Sequence, residues 1–253
     1  CGRSQARLAG QGGEAAALPA EAMDQGQTES RSLAHGLGGE VGLEGVGHFL
    51  LAHAAAAFTA ERDARRENAS KLAANKGKHD EINPHYIMAE LNKLLKDEDL
   101  VFNEAIRNTG ACLMQLTRPL PNSCVRAGGG GLGWSGGFAL GAKLAKPESM
   151  MVQVVGDGSF YFGGPSSTFS VARQYNLPIF TIVLDNTGWS AVKESTLRVF
   201  PQGEAKTNNK FRANLMPDAD FSKIGEAFGA HGERVSNPDD IPAALARCVK
   251  EVR

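Results

Sequence analysis

Apolar and polar positions fall into no sustained period at the start of this chain. Residues 1–57 are rich in Gly and Ala with scattered Gln, Ser and Glu, and no helical stripe or alternation forms before VGHFLLAHAAAAF at 46–58. This composition predicts a segment that is poorly ordered or foreign to the domain, closing in a short packed or interfacial helix. That run is shorter than the ~20 apolar residues a bilayer span needs, and His48 and His53 interrupt it, so no transmembrane helix is expected. TAERDARRENASKLAANKGKHDE follows, dense in mixed charge. As a helix it would have only a thin apolar face, which predicts a solvated helical connector over 58–81.

From residue 82 the pattern sharpens, and an ordered domain is predicted over 82–253. In INPHYIMAELNKLL, Asn83 can cap a helix, Pro84 suits its first position, and Ile87, Leu91, Leu94 and Leu95 share a face. LVFNEA (100–105) reads as a strand. RAGGGGLGWSGG leads into the helical run FALGAKLA, which stops before Pro147. MMVQVV (150–155) is a second buried strand, and PSSTFSVARQYN a crossover helix with Phe169, Ala172 and Tyr175 to bury. PIFTIVL is the third strand. Strand and helix in alternation predict an α/β fold: an open parallel sheet with helices on both faces. DFSKIGEAFG and NPDDIPAALARCVKEV are the last helices, the second capped by Asn237 with Ile241, Leu245, Cys248 and Val252 inward. A further strand is expected after it, so a chain ending at Arg253 and beginning with Cys1 reads as part of a longer parent.

Charge narrows the function classes. The formal net charge is -1 and the pI about 6.7, so no global field draws nucleic acid or an anionic membrane. Any anion must be held by local geometry. Cys1, Cys112, Cys124 and Cys248 form no CxxC pair and stand at no zinc-finger spacing from a histidine, which suits a reducing, cytoplasmic setting. His35, His48, His53, His79, His85 and His231 read as surface or packing residues.

The candidate chemistry lies in VVGDGSFYFGG. Ligands of open parallel sheets collect at the carboxyl ends of strands, where Asp157 follows the second one. Gly156 and Gly158 beside it let backbone amides approach a ligand, a geometry that suits phosphate. A carboxylate there repels phosphate unless a cation lies between, and a hard divalent ion such as Mg²⁺ resolves the conflict. The next strand should then supply more oxygen ligands, and PIFTIVL runs directly into DNTGW. Residues 159–184 separate the two motifs, room for one crossover helix and a parallel strand that sets Asn186 beside Asp157.

With GDGS, DNTGW and the upstream GGGGLGWSGG, the chain resembles the thiamin diphosphate enzymes, the group that includes acetolactate synthase, benzoylformate decarboxylase, oxalyl-CoA decarboxylase and 2-hydroxyacyl-CoA lyase. The resemblance covers roughly residues 82–253 and implies the pyrophosphate-binding domain. It implies that Asp157, Asn186 and the Gly188 carbonyl bind Mg²⁺, and that Gly158 and Ser159 donate to the diphosphate of thiamin diphosphate. It further implies that Leu132 is the apolar wedge bending the cofactor and that the Gly130 carbonyl accepts from its aminopyrimidine. NEAIRNT matches the segment near the diphosphate more loosely, at Asn108 and Thr109. Asp185 stands where the family usually has Asn, adding a negative charge near the metal.

The implied reaction is decarboxylation, carbon–carbon lyase or carboligase chemistry on a small 2-oxo acid or acyl substrate. The implied parent is a homo-oligomer, dimer or tetramer, whose pyrimidine-binding domain supplies the activating glutamate. Glu14, Glu21, Glu29, Glu40 and Glu44 lie outside any strand-to-loop context and are not assigned that role. The chain alone is expected to bind cofactor weakly and turn over nothing. The rival reading is a remnant that only binds cofactor or a partner. A nicotinamide fold is the other rival, since GLGWSG matches G-x-G-x-x-G, but NSCVRAGG before it is polar and short, and Asn186 would be left without a role. Trp134 and Trp189 read as packing residues, with Trp189 and Val192 near a substrate pocket, and KTNNKFR as a solvated loop or covering flap.

Overall fold

The computed structural model describes residues 43–127, 131–216 and 219–253. By internal contacts the chain divides into two units, Cys1–Glu61 and Arg62–Arg253. Helix α1 (Leu43–Ala74) takes in the apolar run at 46–58 and most of the charged stretch after it in one element. The rest of that stretch forms a small hairpin, β1 (Gly77–Lys78) with β2 (Glu81–Ile82), turned at Asp80, whose φ of 62° is the left-handed conformation Asp tolerates. Asn83 then caps α2 (Pro84–Asn92) by accepting from the His85 amide at 3.0 Å, and its own amide donates to the Leu72 and Asn75 carbonyls.

The second unit is an α/β layer structure on a parallel four-stranded sheet. Its strands are β3 (Leu100–Glu104), β4 (Cys124–Val125), β5 (Met151–Gly156) and β6 (Phe180–Leu184), in the order β4-β3-β5-β6. Leu100 pairs with Met151, and Val152 with Phe180, so the strands end together with Glu104, Gly156 and Leu184 at one edge. β4 was not expected from the polar segment NSCVRAGG; it holds because Val101 and Phe102 offer it a ready partner edge.

The sheet's two faces follow from the period-2 direction of side chains. Val101, Val152, Val154, Phe180 and Leu184 point to one face and pack with Met88 and Leu91 of α2, Cys112 of α3 (Thr109–Gln115), and Ile241, Leu245 and Val249 of α10 (Ile241–Val252). Leu94 and Leu95 lie beyond the end of α2 yet still pack on that core. Phe102 and Met151 point to the other face and pack with Ala139 of α4 (Ser135–Ala145). Each fully buried valine of β5 contributes roughly 1.5–3 kcal/mol.

Three expectations shift. The GDG turn is no loop: β5 runs straight into the short helix α5 (Asp157–Phe162). The crossover helix α6 (Pro165–Gln174) stops before Tyr175, which is exposed rather than buried. Past β6 come α7 (Ser190–Val199), α8 (Glu204–Thr207) and α9 (Ser222–Ala227), and α8 places the first part of KTNNKFR on a helix.

An ion pair between buried Asp99 and exposed Arg253 ties the start of β3 to the end of α10. Asp99 has no exposed surface; it accepts from the Lys96 amide at 2.8 Å, the Met150 amide at 3.1 Å and Arg253 at 2.7 Å.

Candidate functional site

Two strand ends build the site. Gly156 pairs with Leu184, so the next residues, Asp157 and Asp185, leave neighbouring parallel strands side by side. Asp157 is buried, with 1% of its surface exposed, at the first turn of α5, where helix dipole and free amides favour a carboxylate. Its Oδ2 accepts from the Gly188 amide at 2.7 Å, which ties the GDG turn to the DNTG turn. Burial pushes its carboxyl above the ordinary Asp range and nearby Asp185 adds to this, while the Gly158 and Gly188 amides pull the other way. This electrostatic tension is what a bound cation would relieve.

The DNTG turn is stiffened from within. Asp185 Oδ1 accepts from the Thr187 amide at 2.8 Å, and Thr187 adopts φ 62°. Asn186 is exposed, and its Oδ1 accepts from Ser190 at 2.7 Å, leaving a second lone pair. Gly188 bridges Asn214, and an added Cβ there would sit 2.3 Å from the Ala213 carbonyl oxygen, so only glycine lets the two segments close. Gly158 is equally constrained: a Cβ would lie 2.3 Å from the Trp189 ring. Trp189 packs edge-on against Tyr161, consistent with its expected packing role.

The glycine-rich loop is held by a buried carboxylate that the sequence reading passed over. Glu104, 1% exposed at the end of β3, accepts from the Gly133 amide through Oε1 and from the Ser135 amide at 2.9 Å and hydroxyl at 2.5 Å through Oε2. Gln153 donates to Ser135 Oγ at 2.8 Å and accepts from Thr181 at 3.0 Å, so one polar chain crosses β3, β5 and β6 beneath the loop. An acid ending the apolar strand LVFNE was the available signal, the same one that singled out Asp157. Leu132 is half-buried on this loop; Gly130 lies outside the described residues.

Ser159 and Gly158 are buried in α5 directly after Asp157. Asn108 and Thr109 sit at the junction of a short 3₁₀ turn with α3, and Arg107 beside them pairs with Glu194 of α7. Val192 is exposed on α7. Lys193 stands over the Phe211 ring at 4.9 Å, anchoring the end of KTNNKFR to that helix. The structure ties Asp157 to Gly188 through the Gly188 amide, while the Asn186 side-chain oxygen is engaged with Ser190; these oxygens and the Gly188 carbonyl are the groups of the kind a hard cation takes.

Comparisons with known proteins place the chain in a family. The family described as thiamine pyrophosphate enzyme, C-terminal TPP binding domain, matches residues 108–253. The chain is 30% identical over 167 residues to a probable acetolactate synthase of Mycobacterium bovis, covering 66% of this chain and 29% of that protein. It is 28% identical over 165 residues to the acetolactate synthase large subunit of Haemophilus influenzae, covering 65% of this chain and 27% of that protein. It thus spans 27% to 29% of the length of these relatives. The fold is shared with the thiamine diphosphate-dependent 4-hydroxybenzoylformate decarboxylase of Rhodococcus jostii RHA1, with a TM-score of 0.59 at 24% identity over 69% of this chain and 31% of that one. The benzoylformate decarboxylase from Polynucleobacter necessarius gives a TM-score of 0.57 at 21% identity over 67% and 31%. Among the described residues no helix is long and apolar enough to cross a membrane.

Proposed function

Since the chain belongs to the thiamine pyrophosphate enzymes, carrying their C-terminal TPP-binding domain, we propose that residues 82–253 bind thiamin diphosphate through Mg²⁺ and serve an enzyme acting on 2-oxo acids or 2-hydroxyacyl compounds. The observation that carries this reading is the buried Asp157 carboxylate, fastened across the strand ends to the Gly188 amide.

The residues present fit the group. Asp157 Oδ2 accepts from the Gly188 amide, and the carboxylate keeps further lone pairs for a cation. Asn186 Oδ1 and the Gly188 carbonyl each already accept one hydrogen bond, both from Ser190, and each retains a lone pair. Asp157, Asn186 and Gly188 would hold the cation, Gly156 would let the backbone come close, and Gly158 and Ser159 would donate to the diphosphate. Leu132, on the loop that Glu104 holds, would support the bent cofactor, with the Gly130 carbonyl as acceptor for its amino group. When bound, thiamin diphosphate supplies the carbon nucleophile and electron sink for cleaving or forming a bond next to a carbonyl. The protein's part is orientation: a stiff DNTG turn and a pinned loop fix where that chemistry happens.

Glu104, the fully buried glutamate among the described residues, has its oxygens committed to Gly133 and Ser135. It therefore serves the loop, and we assign the activating carboxylate to a separate domain of a homo-oligomeric parent. Names of the relatives favour carboligation of the acetolactate synthase type.

Isothermal calorimetry with thiamin diphosphate and Mg²⁺ tests the reading on this chain and on Asp157→Ala. We expect saturable heat from the unaltered chain and at least ~10-fold weaker binding by the variant, as loss of a metal-site partner typically produces. Equal heats, or none from the unaltered chain at millimolar cofactor, would remove the assignment.

A further inference from the structure

Outside the strand-end site, His231, Glu233 and Cys248 bring one imidazole nitrogen, one carboxylate oxygen and one thiol sulfur within 4.8 Å of one another. His231 Nε2 lies 2.7 Å from Glu233 Oε1. Cys248 is a free, half-buried thiol on α10. The three line a groove of about 1370 Å³ that runs along the open edge of β6. The sequence concealed the set because His231 and Glu233 lie on the segment after α9 while Cys248 arrives from the last helix.

We propose that His231, Glu233 and Cys248 form a binding site for a thiophilic divalent cation of the zinc type. Zinc holds thiolate sulfur at ~2.3 Å, imidazole nitrogen at ~2.0–2.1 Å and carboxylate oxygen at ~2.0–2.2 Å, so two ligands of one ion stand no more than about 4.4 Å apart. Tetrahedral geometry at those bond lengths sets ligand atoms roughly 3.3–3.7 Å apart, so the observed 4.8 Å limit closes by about 1 Å, within the reach of side-chain rotation. The donor set selects the metal: a mixed nitrogen, sulfur and oxygen site suits zinc and disfavours Mg²⁺ and Ca²⁺, which take oxygen alone.

The surroundings are built for a ligand. Arg247 donates to Glu233 through Nε at 2.8 Å and Nη2 at 2.7 Å. Coordination through Oε1 replaces the hydrogen bond to His231 and competes with that from Arg247 Nε, while Oε2 stays on Arg247 Nη2, which orients the carboxylate from behind as outer partners of metal ligands do. The segment carrying His231 and Glu233 is fixed at both ends: the Ala230 amide donates to the Gly225 carbonyl at 3.0 Å, and the Ser236 carbonyl accepts from the Asp80 amide at 2.9 Å. With three protein ligands the fourth position opens to water in the groove. A bound ion would clamp this segment to α10 across the edge of the sheet.

Cobalt and zinc titrations test this on the full chain with Cys1→Ser, so that a thiolate signal does not come from the terminus. Cobalt should raise a thiolate-to-metal charge-transfer band that vanishes in Cys248→Ser. Zinc affinity, read by competition with a chelating dye, should fall at least ~10-fold in His231→Ala and in Cys248→Ser. His231 is 38% exposed, so its loss leaves the core intact, and far-ultraviolet circular dichroism confirms folding of each variant. A cobalt band that survives Cys248→Ser, or equal zinc affinity in folded His231→Ala, overturns the site.

Discussion

Replacing Glu104 by Gln probes how the glycine-rich loop is held. The carboxylate accepts three hydrogen bonds, one from Gly133 at Oε1 and two from Ser135 at Oε2. Gln has one oxygen and one NH₂ in the same volume, so its best orientation keeps the two Ser135 bonds and turns the NH₂ toward the Gly133 N–H. One hydrogen bond to a carboxylate is lost and a donor faces a donor, a cost of about 2–3 kcal/mol. With a urea slope of ~2–3 kcal/mol/M, the unfolding midpoint should drop by about 1 M. Because Gly133 directly follows Leu132, thiamin diphosphate affinity should fall with it. Equilibrium urea denaturation followed by circular dichroism, with calorimetry on the folded variant, reads both effects. A midpoint within ~0.2 M of the unaltered protein would mean that the carboxylate does not hold the loop, and the reasoning fails.

Two further outcomes follow from packing. Gly158→Ala places a methyl group 2.3 Å from the Trp189 ring. It should cost about 1–3 kcal/mol by overpacking and shift tryptophan emission, so unchanged stability and emission would show that the close approach is absent. Asp99→Asn removes a fully buried charge opposite Arg253. We expect a loss of about 1–3 kcal/mol by denaturant titration, since the NH₂ of Asn turns toward one of the backbone donors, Lys96 or Met150, that the carboxylate satisfied, and a loss below ~0.5 kcal/mol would count against this network.

The strand-and-helix alternation from residue 82 onward was legible in the sequence because it rests on local rules. Side chains of a buried strand are apolar on both faces, helices carry a stripe, and Asn83-Pro84 and Asn237-Pro238 start helices through their own side chains and fixed φ. GDG and DNTG stood out for the same reason: glycines and acids at the end of an apolar strand announce a turn that does more than reverse the chain.

Tertiary structure alone decided the rest. Glu104 meets Gly133 and Ser135, Asp99 meets Arg253, Trp189 closes over Gly158, and His231 and Glu233 meet Cys248 only after the sheet has been assembled. Nothing in the local pattern of either partner encodes these distances, because hydrogen bonds and steric contacts between remote segments depend on strand register and helix placement. Burial sets their strength by removing competing water. The linear chain therefore specified which residues could do chemistry, while packing determined which of them face one another.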